Sequence, residues 1–232
     1  MKTKIRGRVM GRGLIGLLLL LVPLRAAAQR LEDYDYENLR FRGIGAEVGY
    51  VLPWNIEPTV SYGLRGDMGF AGPHVRIVPA IRYWTSELRD EEVDRLATQF
   101  IEICSRRAPG SCPGSLDLGE VRRSDLELSL DAHVVPDVPT VLVPYAGAGV
   151  GLHLLNGGGE AIDGTFVEDL LDTVAPGINL LGGVMLDLGF VVQFSAEARL
   201  ALTSDVQYGT LLVGGVWNFP PPPAAIARRG AR

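Results

Sequence analysis

Eight times along this chain, apolar and polar side chains alternate residue by residue. A run with that period sorts its side chains onto two faces only as a β-strand. Residues 41–52 set Arg42, Ile44, Ala46, Val48, Tyr50 and Leu52 against Phe41, Gly43, Gly45, Glu47, Gly49 and Val51. Residues 60–70 set Val60, Tyr62, Leu64, Met68 and Phe70 against Ser61, Gly63, Arg65, Asp67 and Gly69. Residues 74–87 oppose Val75, Ile77, Pro79, Ile81 and Tyr83 to His74, Arg76, Arg82 and Ser86. The fourth run is the most regular: Leu126, Leu128, Leu130, Ala132 and Val134 interleave with Asp125, Glu127, Ser129, Asp131 and His133. Residues 141–154, 174–188, 191–202 and 207–219 repeat the pattern, the last three placing Asn179 and Asp187, Glu197 and Arg199, and Asn218 on the polar face.

The links between runs alternate too. Those after the second, fourth and sixth runs are short, around 71–73, 137–139 and 189–190. Those after the third and fifth span 88–121 and 155–172. This asymmetry by end, with runs of about 11–14 residues, fits strands that cross a bilayer, short turns on one side and long loops on the other. The fold this predicts is all-β: an eight-stranded antiparallel up-and-down transmembrane β-barrel with a short helix in a long extracellular loop.

Alternation does not by itself say which face meets solvent, and a soluble lipocalin-like binding barrel is the rival. Three features favour apolar residues outside. The polar face is rich in glycine (Gly43, Gly45, Gly49, Gly63, Gly69, Gly147, Gly149, Gly151), which suits the narrow inside of an eight-strand barrel. It also carries both charge signs. Residues 29–232 contain no lysine, the cation a water-exposed surface uses freely. The predicted interior ionic network is Glu47, Arg65, Asp67, Arg76, Arg82, Asp125, Glu127, Asp131, His133, Asp187, Glu197 and Arg199. Charge on the apolar face is confined to strand ends, at Arg42 and Arg122.

The first 28 residues read as an export signal: Lys2, Lys4, Arg6, Arg8 and Arg12, then the short apolar run LIGLLLLLVPL (14–24), then Ala26, Ala27 and Ala28 before a cleavage site. Six of the 22 basic residues and none of the 27 acidic ones lie there, leaving 16 against 27, a balance that argues against a nucleic-acid partner. In an exported chain the two cysteines, Cys104 and Cys112, predict a disulfide. In the long link, Val93, Leu96, Ala97, Phe100, Ile101 and Cys104 recur at helical spacing, so a helix over about 89–105 is expected to lie over the outer mouth. Residues 166–171 suggest one further helical turn. Residues 29–40 read as an acidic periplasmic lead-in, and 220–232 as a disordered Pro-rich and then basic tail.

The segment VPYAGAGVGLHL (143–154) resembles the P-Y-x-G-x-G-x-G strand of the small outer-membrane β-barrel superfamily, the OmpA/X-like eight-stranded barrels. VRIVPAIRYW (75–84) and APGINLLGGVMLDL (175–188) are similar to the strands flanking it, and Trp217-Asn218-Phe219 resembles the closing aromatic signal read by the barrel-assembly machinery. The resemblance spans residues 41–219. It implies an outer-membrane location, lipid as surroundings and a monomeric barrel acting through structure or its outer loops, with an external ligand the residues do not identify.

Little points to catalysis. Ser129, Asp131 and His133 share one face, which raises a lipid A-modifying hydrolase as an alternative, but that face is the predicted interior. The loop glycines lack phosphate-cradling spacing, and no cofactor or metal motif is present. A narrow solute channel along the charged face is the other alternative. His74 and His153 have no evident partner in the sequence.

Overall fold

The computed structural model describes residues 39–107, 110, 114–160, 163–164, 171–188 and 191–219. The expected signal segment 1–28, the expected lead-in up to residue 38, the expected tail 220–232, Cys112 and most of the expected turn at 166–171 lie outside the described residues.

Eight strands form: β1 (Leu39–Pro53), β2 (Thr59–Gly69), β3 (Val75–Glu87), β4 (Arg122–Val134), β5 (Leu142–Gly158), β6 (Thr173–Leu186), β7 (Val192–Thr203) and β8 (Gln207–Asn218). Each pairs antiparallel with its sequence neighbours, and β8 returns to β1 through Ile44 opposite Trp217 and Val48 opposite Val213, closing the barrel. Among the described residues no strand is left without a neighbour on either side, which is the condition for a sheet to sit in hydrocarbon. The β2–β3 turn is tight because Gly69 and Gly72 take φ of 75° and 97°, conformations that side chains disfavour. Asp67 steadies it by accepting the Gly69 amide at 2.8 Å.

The polarity is inverted relative to a soluble protein. Glu127 is 1% exposed, and its neighbour Leu128 is 43% exposed. Ile44, Val48, Tyr62, Leu64, Leu130, Val150, Ile178, Leu180, Leu211 and Val213 all face outward, while Glu47, Arg65, Arg82, Asp131 and Arg199 are buried. Outward aromatics gather toward the two ends, with Phe194, Trp217 and Phe219 at one and Tyr50, Trp54 and Tyr83 at the other, as at membrane interfaces.

The ends differ. At the loop end, Val51, Trp84, Leu155, Ala175, Ala201 and Tyr208 turn inward and meet Ile56 and Val206 from the loops, an apolar stopper. Helix α1 (Asp90–Arg107) begins with Asp90, Glu91 and Glu92 and ends with Arg106 and Arg107, charges that complement its dipole. Its Val93, Leu96 and Ala97 pack with Leu118, Val121 and Leu171. At the terminal end, where β1 begins and β8 finishes, Val135, Tyr145, Leu181 and Met185 form a second apolar layer.

Two expectations need correction. Asp187 is not interior: pairing of β6 ends at Leu186, so Asp187 sits exposed at the terminal end, its amide donating to the Val141 carbonyl at 2.8 Å. Arg42 does not share the lipid face. The β1–β2 register shifts between Leu39 and Gly43, which puts Phe41 outside against Phe219 and turns Arg42 into the barrel mouth.

Candidate functional site

Between the two apolar layers lies a ring of charges. Arg82 Nε donates to Glu47, and its Nη1 lies 3.5 Å from Glu127. Glu127 in turn lies 3.5 Å from Arg199 Nη1, and Arg199 Nε donates to Glu197 at 3.2 Å. Glu197 is 3.8 Å from Arg65, and Arg65 is 3.5 Å from Glu47, which closes the circuit. Three arginines and three glutamates thus alternate around the lumen, drawn from β1, β2, β3, β4 and β7. Asp131 is tied to the ring by Arg199 through two contacts, Nη2 to Oδ2 at 2.5 Å and Nη1 to Oδ1 at 3.3 Å. Such two-point pairing suits the guanidinium fork, and arginine is the cation that tolerates dehydration.

Glycines make the ring possible. Arg82 and Glu47 lie two strands apart, and Gly63 is the residue between them. A Cβ there would stand 3.0 Å from Arg82 and 3.1 Å from Glu47. Gly183 leaves room in the same way for the Tyr145 ring to pass and donate its hydroxyl to Glu197 at 2.8 Å.

Two satellites flank the ring. Toward the terminal end, Arg76 pairs with Asp67 at 2.7 Å. Toward the loop end, Asp125 meets His153 Nδ1 at 2.8 Å and the Tyr208 hydroxyl at 2.9 Å. His153 therefore has a partner that the sequence does not advertise, reached diagonally across β4 and β5. Asn179 donates to Glu127 at 2.8 Å, and Ser129 accepts from Arg82 at 2.9 Å. His133 is fully buried and stacks on Tyr145, ring centres 4.9 Å apart. His74 lies at the terminal turn, 3.9 Å from Asp137.

Of the expected interior set, Glu47, Arg65, Asp67, Arg76, Arg82, Asp125, Glu127, Asp131, His133, Glu197 and Arg199 are brought together, and only Asp187 falls outside. Tyr145, Tyr208 and Asn179 join them. Chemically, this arrangement neutralises and braces. Ser129 donates to Asp131 at 3.4 Å, but no hydrogen bond links it to His133 among the described residues, so these three do not form a relay. No group of acidic, histidine or cysteine side chains among the described residues is arranged to hold a metal ion.

These features define a transmembrane up-and-down barrel with a charged, filled interior. Comparison with solved structures agrees on the fold. Neisserial surface protein A superposes with a TM-score of 0.50 at 14% identity, over 77% of this chain and 97% of that one. A major outer membrane protein from Thermus thermophilus gives 0.48 at 11% identity, over 77% and 99%. The N-terminal β-barrel domain of Pseudomonas aeruginosa OprF gives 0.43 at 15% identity, over 76% and 97%. No protein-family model and no curated protein matches the sequence. At such identities the likeness is one of architecture: this chain has the eight-stranded fold of the small outer-membrane barrels.

Proposed function

We propose that this protein is exported by cleavage of residues 1–28, inserted into an outer membrane by the barrel-assembly machinery, and acts there as a non-enzymatic monomer. Its role is to hold the membrane-spanning wall and to present the outer loops to a partner. The observation that carries this reading is the closed charge ring between two apolar layers, inside a wall whose outer face is hydrocarbon-compatible. With that packing, the lumen serves as a brace more readily than as a pore. The loop end then faces outward and the terminal end faces the periplasm. A Cys104–Cys112 disulfide would tether the end of α1 to the loop that follows it. By the chain-entropy relation, so short a closure is worth about 2–3 kcal/mol.

The test is physical. The protein refolded into lipid or detergent should migrate differently in a gel before and after boiling, and should precipitate without amphiphile. A chain that stays folded and monomeric in plain buffer would defeat the membrane reading. Steady unitary conductance in planar bilayers would replace the brace with a channel. A change in lipid A mass that vanishes on Ser129→Ala or His133→Ala would establish an enzyme. Labelling of both cysteines in the unfolded, unreduced protein would remove the disulfide.

A further inference from the structure

The terminal mouth of the barrel holds a cavity of about 510 Å³ that the charge ring does not use. Phe70, Val135, Val143 and Met185 give it an apolar wall. Three arginines also reach it: Arg40, Arg42 and Arg76. Arg76 is buried and already committed through Nη2 to Asp67, but its Nε is shielded without a hydrogen-bond partner. Arg42 is less engaged still. Its guanidinium carbon lies 5.4 Å from the centre of the Phe70 ring, it makes no ion pair with any described residue, and its Nε is likewise shielded and unpartnered.

That placement has a specific structural origin. The irregular pairing between Leu39 and Gly43 turns Arg42 inward, where a regular strand would have pointed it outward. A bulge of this kind is a common device for re-aiming one side chain. Arg42 is half-buried and acts on the Asp67 carboxylate only at a distance, so its planar fork is still available to match a further carboxylate at two points. The acids at the mouth limit what that carboxylate can belong to. Asp67 is satisfied by Arg76 and the Gly69 amide, Asp137 is 96% exposed beside His74, and Asp187 stands exposed on the rim. Among the described residues these three carboxylates balance the three arginines of the opening, which leaves no net positive charge to hold a polyanion. They tolerate a single negative charge delivered to Arg42 on an apolar body.

We propose that the terminal mouth is a binding site for a small amphipathic monocarboxylate. Its carboxylate is held by Arg42 with Arg76 Nε as a second donor, and its hydrocarbon lies against Phe70, Val143 and Met185. The site stands apart from the outer loops and from the charge ring.

The experiment is a titration of hexanoate into the full-length protein in lipid nanodiscs, read by the arginine side-chain Nε–H resonances, with empty nanodiscs as the partitioning control. Saturable shifts of the Arg42 and Arg76 signals are expected with hexanoate and not with hexanamide or hexylammonium. Arg42→Gln should weaken binding roughly tenfold or more, the weight of a charge-assisted pair of hydrogen bonds, while Arg42→Lys retains part of it. Arg122→Gln, at the opposite end, should change nothing. Equal shifts with hexanoate and hexanamide overturn the proposal, as does undiminished binding to Arg42→Gln. A saturable shift seen only when the chain is shortened to end at Phe219 overturns it too, because the tail would then be the occupant. Should Arg42→Gln fail to fold, the hexanoate–hexanamide contrast on the native protein still decides.

Discussion

Glu127 and Leu128 are adjacent on β4, yet they live in different solvents. Glu127 is enclosed by Arg82, Arg199 and Asn179, whereas Leu128 belongs to a surface of side chains made for hydrocarbon. The two faces of the wall are therefore held by unlike physics. Outside, each apolar residue acts almost alone, because lipid replaces whatever a smaller side chain gives up. Inside, every charge of the ring depends on two or three others, because burial leaves little bulk water to replace a lost partner. Specificity is concentrated in the lumen, and tolerance on the exterior.

Removing one member of the ring should have the largest effect. Arg199→Leu strands Asp131, Glu127 and Glu197 and should cost about 3–5 kcal/mol, measured as urea unfolding in lipid vesicles. If that variant matched wild type, the claimed asymmetry between the faces would be wrong. Next, placing a charge where hydrocarbon belongs, as in Leu128→Arg, should cost about 2–4 kcal/mol by the same measurement. Gly183→Ala tests the close packing that lets Tyr145 reach Glu197. A Cβ there would lie 2.8 Å from the Tyr145 hydroxyl, and overpacking of that kind costs about 1–3 kcal/mol. The smallest effect belongs to a charge pair standing in water. Arg106 and Glu102 meet on α1 one turn apart and largely exposed, so Arg106→Ala should shift stability by no more than about 0.5 kcal/mol. The contrast between Arg106 and Arg199 isolates what dehydration adds to one chemistry.

Much of this was legible in the sequence because period two maps directly onto inside and outside. All eight strands and α1 lie within a few residues of where alternation and helical spacing place them, and eleven of the twelve proposed interior groups are enclosed. What was not legible depends on pairing between strands. The order of contacts in the ring follows from the stagger of neighbouring strands, so Arg82 finds Glu47 across Gly63 although nothing in either segment says so. His153 meets Asp125 for the same reason. Arg42 was misplaced because one irregular pairing reverses parity without altering composition. Asp187 was misplaced because alternation runs two residues past the last β6 pair that holds it. The apolar layers are not legible in the alternation because Val51, Trp84 and Tyr208 sit on the polar face, as exceptions to its period.

The ring also bears on how such a wall can be put together. Its partners come from strands far apart in the chain, with Arg199 meeting a glutamate 72 residues earlier. A half-rolled sheet lacking β7 would carry Glu127 and Asp131 into lipid with their main counterion still missing, and one lacking β1 would leave Arg82 and Arg65 short of Glu47. Either intermediate would expose unpaired charge to hydrocarbon, so the ring favours curling, seam formation and entry into the bilayer going forward together.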